Sequence, residues 1–131
     1  MIRDRNIKTD ANFARETVLL DVTAGASQAG VRITGWRAPY AGVIVSAHVY
    51  CATITDADDS VRVDLHKNAA SVLGATVDPV AADTATALNV TTTSFAAGDV
   101  LKSVVTTGVG DALAGAITLV VRPELGVEAL S

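Results

Sequence analysis

Residues 60–66 alternate without a break. Val61, Val63 and Leu65 fall on one side, and Ser60, Arg62, Asp64 and His66 on the other. A period of two over seven residues is a β-strand with one buried face, because successive side chains of a strand point to opposite sides. A helix would need apolar residues every three or four positions, and no segment of convincing length offers them. Ala81, Ala82, Ala85 and Ala87 invite a helix, but Thr84, Thr86 and the run Thr91-Thr92-Thr93 oppose it.

The same reading extends along the chain. Strands are expected over residues 17–22, 31–36, 43–53, 60–67, 71–73, 86–93, 100–107 and 116–122. In 43–53 the alternation places Val43, Val45, Ala47, Val49 and Cys51 on one face and Ile44, Ser46, His48 and Tyr50 on the other. In 31–36, Val31, Ile33 and Gly35 alternate with Arg32, Thr34 and Trp36. Turns are marked by Pro39 with Gly42, by Asn68-Ala69-Ala70, by Ala96-Ala97-Gly98-Asp99 and by a Gly-rich stretch over 108–115, and Pro123 stops the last strand. Eight short strands in about 110 residues describe an all-β sandwich, a jelly roll first and an immunoglobulin-like sandwich second. The lone cysteine and the position of Trp36 do not match an immunoglobulin framework.

With 131 residues the chain fits one domain, large enough to fold without disulfides or metal. Residues 1–15 read as an extended arm, 16–123 as the sandwich and 124–131 as an irregular tail. Hydrophobic residues make up 50% of the chain but aromatics only 4%, the profile of a core built on β-branched side chains. Mean hydropathy is +0.39, so part of the apolar surface is expected to be covered by other subunits or a larger partner. No apolar run reaches the ~20 residues of a membrane-spanning helix. The net charge of -4 argues against nucleic acid as a partner. Met1-Ile2-Arg3-Asp4-Arg5 has no apolar stretch behind it, so no signal peptide is expected.

Chemistry-bearing motifs are scarce: there is no G-x-S-x-G, P-loop, H-E-x-x-H or C-x-x-C. His48 and His66 would approach a shared metal with Asp64 only if their strands paired, and a structural zinc site wants four ligands. Asp56-Ala57-Asp58-Asp59 offers carboxylates to calcium, but not at EF-hand spacing. Cys51 falls on the apolar side of its strand and reads as a buried small hydrophobe. Asp99 is expected to cap the backbone of its turn. Trp36 and Tyr40, around a turn with Arg37, are candidates for surface contact with a sugar or a protein. The sequon Asn89-Val90-Thr91 reads as accidental. No cofactor is expected.

Several of these segments together resemble the small β-sandwich structural proteins of tailed bacteriophage virions. Gly35-Trp36-Arg37-Ala38-Pro39-Tyr40-Ala41-Gly42-Val43-Ile44 resembles their Pro-aromatic-Gly opening. Val61-Arg62-Val63-Asp64-Leu65-His66-Lys67-Asn68 resembles their strand and turn, with Ala69 where Gly is usual, and Ser71-Val72-Leu73 continues it. Phe95-Ala96-Ala97-Gly98-Asp99-Val100-Leu101 and residues 116–122 resemble a later turn and the closing strand. The resemblance spans residues 34–122 and carries over no catalytic residue. It implies a non-enzymatic capsid decoration (cement) protein on the outer surface of a phage head, made in the host cytoplasm. The implied partner is the major capsid protein or another virion protein, with a homotrimer as the assembly and neither nucleic acid nor membrane involved. Tail or neck accessory proteins share the pattern. In this reading Arg3, Arg5, Lys8 and Arg15 of the arm meet an acidic partner surface. A carbohydrate-binding or adhesin module using Trp36 and Tyr40 is the second expectation, and a small metalloenzyme using the two histidines the third.

Overall fold

The computed structural model describes residues 15–25, 29–56, 60–77 and 82–124. Nine strands follow in chain order: β1 (Glu16–Asp21), β2 (Gly30–Arg37), β3 (Gly42–Thr55), β4 (Arg62–Lys67), β5 (Ala70–Ser71), β6 (Thr86–Ala87), β7 (Ser94–Phe95), β8 (Val100–Thr107) and β9 (Ala112–Pro123). One sheet runs β1-β9-β3-β6, with β7 also on β3, and the other runs β2-β8-β4-β5. All pairings are antiparallel. The chain crosses between sheets from β1 to β2, β2 to β3, β3 to β4, β5 to β6, β7 to β8 and β8 to β9. This alternation in two four-stranded rows is the jelly roll, the architecture the strand count predicted.

The core lies between the sheets. Val18 and Leu20 of β1, Ala47, Val49 and Cys51 of β3, and Ile117, Leu119 and Val121 of β9 are all buried. They face Val63 and Leu65 of β4 and Leu101 and Val105 of β8, also buried. Each fully buried Leu, Ile or Val contributes roughly 1.5–3 kcal/mol relative to exposure. The alternation in β4 holds as expected, with Val61, Val63 and Leu65 each 0% exposed. Ser103 and Thr107 are the buried polar residues of β8; Ser103 lies mid-strand. Its hydroxyl donates to the Asp21 carbonyl at 2.9 Å and lies 3.4 Å from the Thr34 carbonyl, which stitches the end of β1 to the middle of β2.

The expected faces of β3 are half right. Ala47, Val49 and Cys51 point inward, but Val45 is 40% exposed and Ile44 is buried in its place. The register of β3 on β9 shifts between Ile44 and Ser46. A β-bulge there inserts one extra residue and exchanges the two faces upstream of it. A second shift between Cys51 and Thr53 sits opposite Gly115. A Cβ at Gly115 would lie 2.0 Å from the Tyr50 carbonyl oxygen, so only glycine fits the irregular seam.

Other bounds move for identifiable reasons. β9 begins at Ala112, not residue 116, because β3 continues to Thr55 and pairs with it. The Gly-rich stretch therefore shrinks to a turn around Val109-Gly110. Only Thr86–Ala87 of the expected strand over 86–93 pairs with β3, with one isolated bridge from Val90 to Leu73. The short β7 had no pattern to announce it. Asn68-Ala69 closes a two-residue hairpin between Lys67 and Ala70. Asn68 takes φ 56° and Ala69 stays at negative φ, so the alanine needs none of glycine's freedom.

Candidate interaction surface

At one end of the sandwich Trp36, Tyr40 and Phe95 pack on one another. Trp36 meets Tyr40 at 6.1 Å and Phe95 at 5.9 Å, both edge to face. Phe95 is buried and the other two are half-buried against the core. The Tyr40 hydroxyl donates to Glu16 Oε1 at 2.6 Å, tying the start of β1 to the turn after β2. Burial, helped by the Glu16 carboxylate, pushes the Tyr40 phenol up to about 12. The pair named as a surface contact is thus brought together, with its rings engaged in this wedge.

Asp99 caps its turn as expected. Its carboxylate accepts the Ala96 N–H at 2.8 Å and the Asn68 amide at 3.1 Å. These bonds, the backbone one foremost, hold the carboxyl below its ordinary value. Asn68 in turn accepts the Val100 N–H at 3.0 Å, so two hairpin turns are locked together.

The histidines do not meet. His48 lies on β3 and His66 on β4, in different sheets, both on outward-facing positions. His66 Nε2 bonds Asp64 Oδ2 at 2.9 Å, and the Ser71 hydroxyl donates to Asp64 Oδ1 at 2.7 Å. Among the described residues no group of three His, Cys, Asp or Glu side chains is placed to hold a metal. Asp56 Oδ1 accepts the Ser60 N–H at 2.9 Å; Asp58 and Asp59 lie outside the described residues. The Cys51 thiol is 1% exposed, and burial pushes its pKa up. Arg15 is exposed just before β1, while Arg3, Arg5 and Lys8 lie outside the described residues, as does the tail after Glu124.

What sequence reasoning did not single out is one flank of the sandwich. β1 and β2 are edge strands of their sheets and lie side by side. Leu19 is 67% exposed, Val31 61% and Ile33 59%. Hydrogen-bond phase adds to this. The Ala38 N–H donates to the Asp99 carbonyl, and the Val100 carbonyl turns away to accept the Asn68 N–H, both at 2.8 Å. The β2–β8 register is unbroken from Gly30↔Thr107 to Arg37↔Val100. Alternation then directs the backbone groups of Arg32, Thr34 and Trp36 toward β8. Those of Val31, Ile33, Gly35 and Arg37 face the open edge. Trp36 was the available signal: if it faces the core, Val31 and Ile33 must face out.

Nothing in the described residues covers this edge. A groove of about 180 Å³ runs beside it, lined by Asp21, Thr23, Arg32, Ile33 and Thr34 among others. Among the described residues, no helix is long and apolar enough to cross a membrane. Comparison of the chain with protein-family models, curated proteins and solved structures finds no match in any of the three.

Proposed function

We propose that this chain is a non-catalytic virion structural protein of the tailed-bacteriophage kind, a capsid decoration protein that binds the outer surface of the head and stabilises it. The observation that carries the reading is the division of labour in the jelly roll. Polar side chains in the resembling motifs serve turns, as Asp99 and Asn68 do, while one flank offers long apolar edges to a neighbour. A protein of this build acts by burying area. Each copy contributes a modest contact, and many copies on a closed shell add up.

The arm, with Arg3, Arg5, Lys8 and Arg15, extends the contact to an acidic neighbouring surface, the major capsid protein or another virion component. The carbohydrate module draws less support, because Trp36 and Tyr40 pack edge to face and the Tyr40 hydroxyl is engaged by Glu16. Density-gradient fractionation of lysate from the producing culture tests the reading. Co-sedimentation with capsid-sized particles through a salt wash is the expected result. Recovery only in the soluble fraction contradicts it. Removal of residues 1–15 is expected to lower occupancy on the particles.

A further inference from the structure

We infer that the open edge of β2 is a two-fold interface with a second copy of this chain, which joins two sheets into one continuous sheet, β5-β4-β8-β2 followed by the same strands in reverse. The inference goes beyond the virion reading and stands without it, since it concerns the purified chain alone.

Three features of the edge fit a second copy. The first is the backbone. Val31, Ile33 and Gly35 each present N–H and C=O outward, so an antiparallel copy whose two-fold axis passes beside Ile33 makes six main-chain hydrogen bonds between the two edges. The second is shape. In that register Ile33 meets its own counterpart, and Val31 lies over Gly35 of the other copy, where no side chain stands in the way. Val31 and Ile33 are the exposed apolar side chains of this strand, and both are covered. An uncovered edge strand of eight residues with two exposed apolar side chains is otherwise an aggregation hazard.

The third is charge. Arg32 sits directly opposite Thr34 of the second copy. Asp21 and Thr34 line the same groove, and the exposed Asp21 carboxylate accepts only the Thr23 N–H, at 3.2 Å, within the described residues. Arg32 and Asp21 are both exposed and make no ion pair within the described chain. Across the two-fold axis they form two reciprocal Arg32–Asp21 pairs. The neighbouring registers lack this match. A shift one way sets Arg32 against Arg32, and like charges directly opposite destabilise a strand pair. A shift the other way sets Val31 against Arg37 and leaves Ile33 over glycine. A two-fold contact of this kind closes on itself and needs no further copies.

Sedimentation equilibrium of the full chain tests the inference. The expected species has twice the 13.4 kDa chain mass. Ile33→Lys places two ammonium groups on the axis and is expected to raise the dimer Kd by about 100-fold or more. Its melting temperature at dilution should match that of the parent chain, because Ile33 is outside the core. Arg32→Asp or Asp21→Arg alone is expected to weaken the dimer by about tenfold, and the two together to restore it. A chain that stays monomeric at about 1 mM overturns the inference. So does a trimer, a dimer indifferent to Ile33→Lys, a charge swap that fails to rescue, or a dimer lost on removing residues 1–14 with the edge intact.

Discussion

Along one flank of the sandwich the sheets end in β1 and β2, six and eight residues long; along the other they end in β5 and β6, two residues each. The short flank is covered by its own chain. Within residues 72–77 and 82–95 the backbone returns repeatedly to the sheets. Leu88 N–H donates to the Ala47 carbonyl, Asp83 N–H to Cys51, and Val63 exchanges two bonds with Val77. Those contacts satisfy edge groups one at a time, without a regular ladder. On the long flank no described segment does the same for Val31, Ile33 or Gly35. A strand edge is a template for another strand unless something blunts it. The difference teaches that one flank satisfies its edge from its own chain, while the other leaves Val31, Ile33 and Gly35 open among the described residues, as the inferred two-fold contact requires.

The largest effect should come from the seam both flanks depend on. Gly115→Ala forces a Cβ onto the Tyr50 carbonyl and the Cys51 backbone. The β3–β9 pairing must shift, and a loss of about 3 kcal/mol or more in denaturant unfolding is expected. A smaller loss would mean the bulge yields easily. Next, the core beneath each flank should matter alike. Leu20→Ala under the long flank and Leu88→Ala under the short one should each cost about 2–4 kcal/mol, since both side chains are buried. A large disparity would mean that the flanks differ in packing as well as in their edges.

Tyr40 gives a pH-dependent effect at the junction of β1 and β2. Its phenol is raised from 10.0 to about 12 in the folded chain, by burial and then Glu16. A raised pKa favours the neutral form, so its contribution is complete below pH about 10 and is lost as pH rises toward 12. Tyr40→Phe is expected to flatten that part of the alkaline stability decline, read by melting temperature against pH. An unchanged profile would assign the decline elsewhere. The smallest effect on the fold should come from the open edge. Val31→Thr keeps a β-branched side chain on an exposed position and is expected to change monomer stability by no more than about 0.5 kcal/mol. A larger loss would show that the edge is already covered within one chain.

Much of this architecture is legible in the sequence. The alternation of residues 60–66 fixes β4 and its faces, and Pro, Gly, Asn and Asp locate the turns. The cap at Asp99 follows from its place after Gly98. What is not legible has a physical reason in each case. The bulge at Val45 leaves no trace in composition, yet it reverses which residues face the core. The strands over 86–95 are too short for any period to form. In β2 the pattern of Val31 and Ile33 against Arg32 and Thr34 suggests the wrong buried face, because simple hydrophobicity cannot see that Trp36 and the sheet edge decide the matter. The interaction surface is therefore the part least visible, since an outward-facing valine and an inward-facing one read alike until the topology is known.

Amide hydrogen exchange of the full chain, measured at low and high protein concentration, tests the contrast between the flanks most directly. The account predicts slow exchange at Arg32 and Thr34 at both concentrations, because β8 holds them. It predicts fast exchange at Val31, Ile33 and Gly35 when dilute, and protection at those three as concentration rises. Exchange at these amides that does not depend on concentration, or protection that grows instead along β5 and β6, would contradict it.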